Sequence, residues 1–184
     1  MLKSEILGRN LHNNKTNMTR HSAMDASSLS TDWDVVIIGA GPVGGHTAKL
    51  LSQRGHRVLM IEEHSEIGRP FQCAGLVTPS AMKQVGLYDT ILEEVDGALI
   101  HGPSGTLVPV GTSGTVRTYV VCRKLFDEGV VKQAMMSGAT LWLNSKPVNA
   151  NVKDDLVSLE IDQDGVNQLI TTKLLIGCDG AHSW

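Results

Sequence analysis

The chain has 184 residues, of which 41% are apolar and 19% charged, a composition typical of a globular protein with one sizeable core. The net charge of −3 does not indicate a nucleic-acid partner, and we expect none. Cys73, Cys122 and Cys178 form neither a CxxC pair nor a metal-binding pattern. We therefore expect reduced thiols and no metal.

Residues 1–30 differ in composition from the rest of the chain. They are rich in Asn, Ser, Thr and basic residues and have no sustained apolar period. A secretory signal would need an apolar core of roughly 7–15 residues, which this segment lacks. We interpret it as a disordered tail or a spurious N-terminal extension, with a transit peptide as the weaker alternative.

The next segment contains the most informative motif. Residues 34–38 predict a buried parallel strand, which leads directly into Gly39-x-Gly41-x-x-Gly44. A helix is predicted over residues 43–54, and a second apolar strand over residues 58–61 ends at Glu62. This order is typical of a dinucleotide-binding βαβ unit.

Each residue of this unit has a physical role in binding a dinucleotide. Gly39 permits the turn that ends the strand, Gly41 lets the backbone approach a pyrophosphate, and Gly44 lets the helix pack on the strand. The helix N-terminus attracts anions. Glu62 is placed to accept both hydroxyls of the adenosine ribose, and its charge disfavours a 2′-phosphate. The alternative is a βαβ unit whose glycines serve packing only.

The rest of the chain predicts a mixture of short helices and strands. A loop over residues 63–78 crosses the nucleotide site. Helices are predicted over residues 79–85, 88–94 and 124–137. Strands are predicted over residues 99–100, 106–110, 116–121, 141–143, 148–152, 156–161, 168–171 and 174–176. The predicted fold class is α/β: a Rossmann-like dinucleotide-binding domain with a parallel sheet, a β-meander and a strand-rich insertion.

This order resembles the FAD-binding domain of glutathione-reductase-like flavoproteins, in which a β-meander replaces a crossover helix. The resemblance extends from about residue 34 to the C-terminus. Residues 177–183 are similar to the Gly-Ala-Asp-Gly-x-x-Ser motif of the flavin monooxygenase-like superfamily. Residues 66–70 with Cys73-Ala74-Gly75, and residues 121–127, resemble the geranylgeranyl reductase family, whose members saturate isoprenoid chains with FAD. The chain departs from that family at Glu63, where basic residues are common, and in a cysteine loop one residue shorter than usual.

The resemblance implies a set of cofactor-binding residues for FAD. Gly39, Gly41, Gly44 and the Val43 backbone would hold the pyrophosphate, and Glu62 the ribose. The remaining contacts would come from Cys73, Ala74 and Gly75 along the flavin, Arg123 at phosphate or ribose oxygens, the Val148 backbone at the adenine, and Asp179 and Gly180 at the strand end. Cys73 is also the candidate catalytic residue, as a thiol that shapes or protonates the site.

Each of these assignments has a structural alternative. Cys73 can be an inert buried thiol, Arg123 can pair with Asp127, and Asp179-Gly180 can be an ordinary turn. The histidines His46, His64 and His182 have no ligand spacing and are interpreted as surface or local hydrogen-bonding residues.

At the level of the whole protein, the resemblance implies an FAD-dependent oxidoreductase that reduces geranylgeranyl double bonds in membrane-lipid biosynthesis. Its partners would be a prenyl-chain lipid or prenyl diphosphate and an electron donor. The family continues past the Asp-Gly motif, so we expect residues 31–184 to be an FAD-binding domain without its substrate domain. We expect this N-terminal fragment to be inactive alone and to bind FAD weakly or not at all. The expected location is cytoplasmic, or peripheral to the membrane through the further domain. The alternatives are a flavin-dependent monooxygenase and a non-catalytic FAD-binding module.

Overall fold

The computed structural model describes residues 32–71, 73–153 and 155–181, so the predictions for residues 1–30 and for His182 lie outside the described residues. In chain order the elements are β1 (Asp32–Ile38), α1 (Pro42–Ser52), β2 (Val58–Ile61), β3 (Leu76–Val77), α2 (Pro79–Val85), β4 (Ile91–Val95), β5 (Gly97–His101), β6 (Leu107–Gly111), β7 (Thr118–Val121), α3 (Arg123–Met136), β8 (Thr140–Trp142), β9 (Ser145–Lys153), β10 (Leu156–Gln163) and β11 (Val166–Gly177). Within the described ranges, no helix combines the length and apolar character needed to cross a membrane.

A six-stranded sheet organises the fold, in the order β8-β2-β1-β11-β10-β9. β1 pairs in parallel with β2 and β11, and β2 pairs in parallel with β8. β9, β10 and the first part of β11 form the antiparallel meander. The predicted α/β class, with a parallel sheet and a β-meander, is confirmed. The carboxyl ends of β1 and β2 meet at one edge, where nucleotides bind in such sheets.

β11 is a single strand that belongs to two ladders. Its first half pairs antiparallel with β10, and its second half pairs parallel with β1 from Thr171 to Gly177. The prediction of two strands over residues 168–171 and 174–176 was therefore wrong. Lys173 interrupts the apolar pattern, but its ammonium reaches outward to Asp34 at 2.8 Å while the backbone stays extended. Buried Thr172 donates its hydroxyl to the Leu174 carbonyl at 3.0 Å.

Two apolar clusters lie on opposite faces of this sheet. Val35 and Ile37 face one cluster, with buried residues of α1 and α3, while Val36 and Ile38 face the other, with residues of the meander. Successive side chains of a strand point to opposite faces, so β1 supplies both clusters. The continuous apolar runs of β1 and β2 are thereby explained, because strands covered on both faces do not alternate with polar residues.

The strand-rich insertion forms two further sheets, β3-β7-β4 and the hairpin β5-β6. The helix predicted over residues 88–94 was wrong: a 3₁₀ turn, Tyr88–Thr90, leads into β4. β4 pairs antiparallel with β7. Pairing with β7 outweighs the helix propensity of Leu92, Glu93 and Glu94, as tertiary context commonly does.

Candidate cofactor site

Two glycines of the motif are required by packing between β1 and α1. Gly39 has φ of +91°, a conformation that residues with a Cβ rarely adopt, and its Cβ would lie 2.5 Å from the Cys178 carbonyl oxygen. A Cβ on Gly44 would lie 2.0 Å from the Gly39 carbonyl oxygen. The turn and the start of α1 therefore approach each other at backbone distance, as the motif predicts.

Gly41 differs from both, because its missing Cβ leaves open space. A Cβ there would meet no heavy atom of the described chain within 4 Å, and Gly41 lines a cleft at the carboxyl end of β1. The first hydrogen bond of α1 is donated by Gly45 N to the Gly41 carbonyl oxygen at 2.8 Å. The amides at the start of a helix have no intrahelical acceptor, so they point at this space. An anion such as a pyrophosphate fits both the space and the donors.

Glu62 is fixed at the other wall of the cleft. Its Oε2 accepts a hydrogen bond from Ala40 N at 3.0 Å, and its Oε1 lies 2.6 Å from His64 Nδ1. Two backbone hydrogen bonds hold Glu62 in place. Its N–H donates to the Trp142 carbonyl, and its carbonyl accepts from Ser145 N. The side chain retains 14% exposure, so the carboxylate faces the cleft without being free to turn away.

Arg123 begins α3 and forms a bidentate pair within the cleft. Its Nε donates to Asp127 Oδ1 at 3.0 Å and its Nη2 to Oδ2 at 2.8 Å. The buried Asp127 carboxylate raises the pKa of the guanidinium. The pairing that sequence reasoning gave as an alternative to cofactor contact is present, yet both residues line the cleft. A bidentate partner fixes a guanidinium for recognition of a further oxygen ligand.

Cys73 lies in the same cleft with its thiol exposed. The burial assumed in the alternative of an inert thiol was therefore wrong. The pKa of Cys73 is lowered, first by a hydrogen bond from the Gly75 backbone and then by the Arg123 guanidinium. Cys178 shows the opposite behaviour, since burial and then Asp179 raise the pKa of that thiol.

The loop that carries Cys73 is attached to the start of α3. Lys124 Nζ lies 3.0 Å from Glu66 Oε2, and a Cβ on Gly68 would lie 2.8 Å from Lys124 Cα. The Arg69 guanidinium stacks over the Phe71 ring at 4.1 Å from its centroid. Arg69 is thus engaged within the loop, and the loop holds Cys73 near Arg123.

The cleft has a volume of about 630 Å³, within the range of small-molecule and cofactor sites. It brings together most of the residues predicted from the sequence: Gly39, Gly41, Val43, Glu62, Cys73, Arg123, Asp179 and Gly180. The other predicted residues do not line it: Gly44, Ala74, Gly75 and Val148. Their contacts with FAD stay predictions. In the part of the chain that the structure describes, no group of three or more His, Cys, Asp or Glu side chains forms a metal site.

Sequence reasoning missed part of the wall formed by the start of β9. Ser145, Lys146 and Pro147 line the cleft, whereas the strand was predicted to begin at Val148. Ser145 is buried and its hydroxyl donates to the Leu143 carbonyl at 2.9 Å. Its polarity and Pro147 obscured the strand pattern. The interpretation of His64 as a local hydrogen-bonding residue is confirmed by its contact with Glu62, although the sequence did not identify Glu62 as its partner.

The family profile described as "FAD binding domain" matches residues 32–184. The chain belongs to the FAD-binding domain family. FAD is its cofactor, and the residues present fit that group: open space at Gly41, the first amides of α1, and a carboxylate and a guanidinium on the walls. Bound FAD would be held by these groups.

Several relatives carry a reductase name. The chain is 33% identical to a digeranylgeranylglycerophospholipid reductase of Methanosarcina acetivorans, over 82% of this chain and 38% of that protein. It is 32% identical to the protein of the same name from Picrophilus torridus, over 84% of this chain and 41% of that protein. The resemblance to the geranylgeranyl reductase family is confirmed. The chain spans about two fifths of the length of these relatives.

Solved structures show the same fold. A geranylgeranyl bacteriochlorophyll reductase-like protein of Thermoplasma acidophilum matches with a TM-score of 0.74 and 28% identity, over 81% of this chain and 39% of that one. An aklavinone-11 hydroxylase with FAD and aklavinone matches with a TM-score of 0.64 and 18% identity, over 82% of this chain and 33% of that one. The second likeness concerns the fold alone.

Proposed function

We propose that this chain is the FAD-binding part of an FAD-dependent oxidoreductase that saturates geranylgeranyl double bonds in membrane-lipid biosynthesis. The observation that carries the proposal is the convergence on one cleft of the Gly41 space, Glu62, the Arg123–Asp127 pair and Cys73. The names of reductases that are 31–33% identical to this chain support the prenyl-lipid substrate. Their greater length supports a further substrate domain in the whole protein.

Each wall of the cleft would hold a different part of the cofactor. The amides of Val43 and Gly44 would bind the pyrophosphate, and Glu62 the adenosine ribose. Arg123, oriented by Asp127, would donate to a phosphate or ribose oxygen through an N–H group that Asp127 does not occupy. The Cys73 loop would then face the isoalloxazine end.

Cys73 is proposed as the group that supplies or relays a proton. Reduced FAD supplies a hydride equivalent when bound, and saturation of a double bond also requires a proton. A lowered thiol pKa makes proton donation easier near neutral pH, because a general acid works best with a pKa close to the working pH. The Arg123 guanidinium would stabilise the thiolate left after donation.

The proposed substrate also suggests a location. A prenyl-chain phospholipid resides in the membrane, and the proposed enzyme would work in the cytoplasm at the membrane surface, with an electron donor as its second partner. Fractionation of cells that express a protein as long as the reductase relatives, with and without a salt wash of the membranes, tests this location. Recovery in a secreted fraction would contradict it.

The activity is tested in the chain extended by the C-terminal region of the Methanosarcina acetivorans relative. Dithionite-reduced FAD and a geranylgeranyl phospholipid are supplied without oxygen, and mass spectrometry counts the hydrogens added. We expect saturation of the prenyl chains, lost in Gly41→Ala because the Cβ occupies the pyrophosphate space. Oxygen consumption with NAD(P)H and an aromatic substrate, without prenyl saturation, would instead identify a monooxygenase.

The role of Cys73 is tested by turnover in the same protein with FAD content measured by absorbance. Cys73→Ala should lower turnover by roughly 10²-fold or more while FAD stays bound, as loss of a general acid does. Cys122→Ala is the matched control, since that thiol does not line the cleft. Unchanged turnover in both Cys73→Ala and Cys73→Ser would remove the thiol from the mechanism.

A further inference from the structure

Glu62 has fewer open acceptor positions than an isolated carboxylate. An ionised carboxylate offers two oxygens with about four lone-pair positions. Oε1 accepts from His64 N at 3.2 Å and lies 2.6 Å from His64 Nδ1, while Oε2 accepts from Ala40 N at 3.0 Å. An ionised carboxylate can only accept, so Nδ1 carries the hydrogen in this contact. Protein donors thus occupy three positions, two of them on Oε1.

We propose that His64 restricts Glu62 to one hydroxyl of the adenosine ribose, accepted at Oε2. The inference rests on the assignment of Glu62 to the ribose in the proposed function. The sequence alone predicts that the carboxylate accepts both hydroxyls, since it does not place a second donor beside Oε1. His64 is in this way a specificity-determining residue of the adenosine subsite, and it acts through Glu62.

The backbone of this segment does not depend on the His64 ring. His64 O accepts from Asn144 N at 3.1 Å, and Glu62 O accepts from Ser145 N at 2.8 Å. These bonds attach the segment to the connection between β8 and β9. The His64 side chain is 38% exposed, so a ring of similar size can replace it without opening a buried cavity. A substitution therefore tests the Nδ1 contact while Glu62 stays in place.

The nearby carboxylate offers a matched control. Glu63 Oε1 lies 4.0 Å from His64 Nε2, beyond hydrogen-bond distance, and its side chain is exposed. Loss of the Glu63 charge leaves the three donors on Glu62 unchanged. His64→Phe removes the ring donor, and His64→Asn keeps an N–H near the position of Nδ1.

The experiment measures the affinities of ADP, 2′-deoxy-ADP and 3′-deoxy-ADP by titration calorimetry for the chain extended by the C-terminal region of the Methanosarcina acetivorans relative. In the wild type, removal of one hydroxyl should weaken binding about tenfold, as loss of a hydrogen bond to a charged group does, and removal of the other less than about twofold. In His64→Phe, both deoxy nucleotides should bind about tenfold more weakly than ADP, because Oε1 becomes available. His64→Asn and Glu63→Gln should retain the wild-type pattern.

The outcomes separate this inference from the proposed function. If ADP does not bind, or if Glu62→Ala binds ADP as the wild type does, the assignment of Glu62 is wrong and both are overturned. If Glu62→Ala weakens ADP binding but the two hydroxyls contribute equally in the wild type, only the inference is overturned. The inference alone is also overturned if, in His64→Phe, removal of only one of the two ribose hydroxyls weakens binding.

Discussion

The parallel strands β1 and β2 and the hairpin β5-β6 all contain runs of apolar residues but differ in how they are covered. Every residue of β2 is buried, and so is the run from Val35 to Ile38 in β1. In the hairpin, by contrast, Ile100 and Val108 are exposed on one face, and Leu107 on the other. Neither hairpin face is covered by other parts of the described chain. An apolar pattern therefore predicts a strand in both regions, but the covering layer depends on tertiary contacts that the pattern does not encode.

This difference matters for how each region is stable. A two-stranded hairpin is only marginally stable in water by itself. A strand inside a sheet, with other parts of the protein packed on both faces, is stabilised by many contacts. We expect most of the free energy of unfolding of the described chain to come from the parallel sheet and its two clusters.

The same substitution in both regions gives the largest contrast. Ile37 is 0% exposed and Ile100 is 55% exposed. Ile37→Ala should lower the free energy of unfolding by about 3–4 kcal/mol, because it removes buried methyl groups and leaves a cavity. Ile100→Ala should change it by less than about 1 kcal/mol. Urea denaturation measures both, and equal losses would show that the hairpin is packed against another part of the chain.

Within the parallel region, two glycines separate packing from cofactor contact. Gly44→Ala should destabilise the chain by about 2–3 kcal/mol, because the added Cβ would lie 2.0 Å from a backbone oxygen. Gly41→Ala should leave stability within about 0.5 kcal/mol, since its Cβ meets no described heavy atom within 4 Å. FAD binding should be lost in Gly41→Ala. Urea denaturation and fluorescence titration check both variants, and a stable Gly44→Ala that binds FAD would contradict this account.

The sequence predicted the nucleotide side of the site well for a physical reason. Gly39, Gly41, Gly44 and Glu62 act through local geometry at the ends of β1 and β2, so their spacing along the chain carries the information. Asp127 was predicted only as a partner of Arg123, because the approach of α3 to the cleft is a tertiary contact. The strand at residues 91–95 was mistaken for a helix for a similar reason, since its pairing partner lies near residue 120.

Thiol reactivity provides a smaller contrast between an exposed and a partly buried position of the cleft. Cys73 has a lowered pKa and Cys178 a raised one. Near pH 7.5, iodoacetamide should alkylate Cys73 at least about tenfold faster than Cys178, because the thiolate is the nucleophile. Arg123→Gln should slow alkylation of Cys73 by removing a positive charge. Peptide mass spectrometry measures the rates, and equal rates at Cys73 and Cys178 would be inconsistent with the site described.

The smallest predicted effect concerns Asp34 at the start of β1. Lys173 first, and then the Arg57 backbone amide, lower the pKa of this carboxyl to about 2. A carboxyl whose pKa is lower in the folded state adds stability above its unfolded pKa of about 4, and this is lost as pH falls toward 2. Asp34→Asn should therefore reduce stability slightly at neutral pH and converge with the wild type in acid. Unfolding measured at several pH values tests this, and a constant difference would refute it.

The two ladders of β11 have a consequence for biosynthesis of the chain. β1 leaves the ribosome before β11, so one of the two edges of β1 stays unpaired until residues 171–177 have been translated. An unpaired apolar strand edge is a template for association with other chains. The nascent protein must therefore keep the segment Val35–Ile38 from aggregating while more than 130 further residues emerge, as their numbering implies. Chaperone demand during translation should consequently be set by the last strand of the sheet rather than by the first.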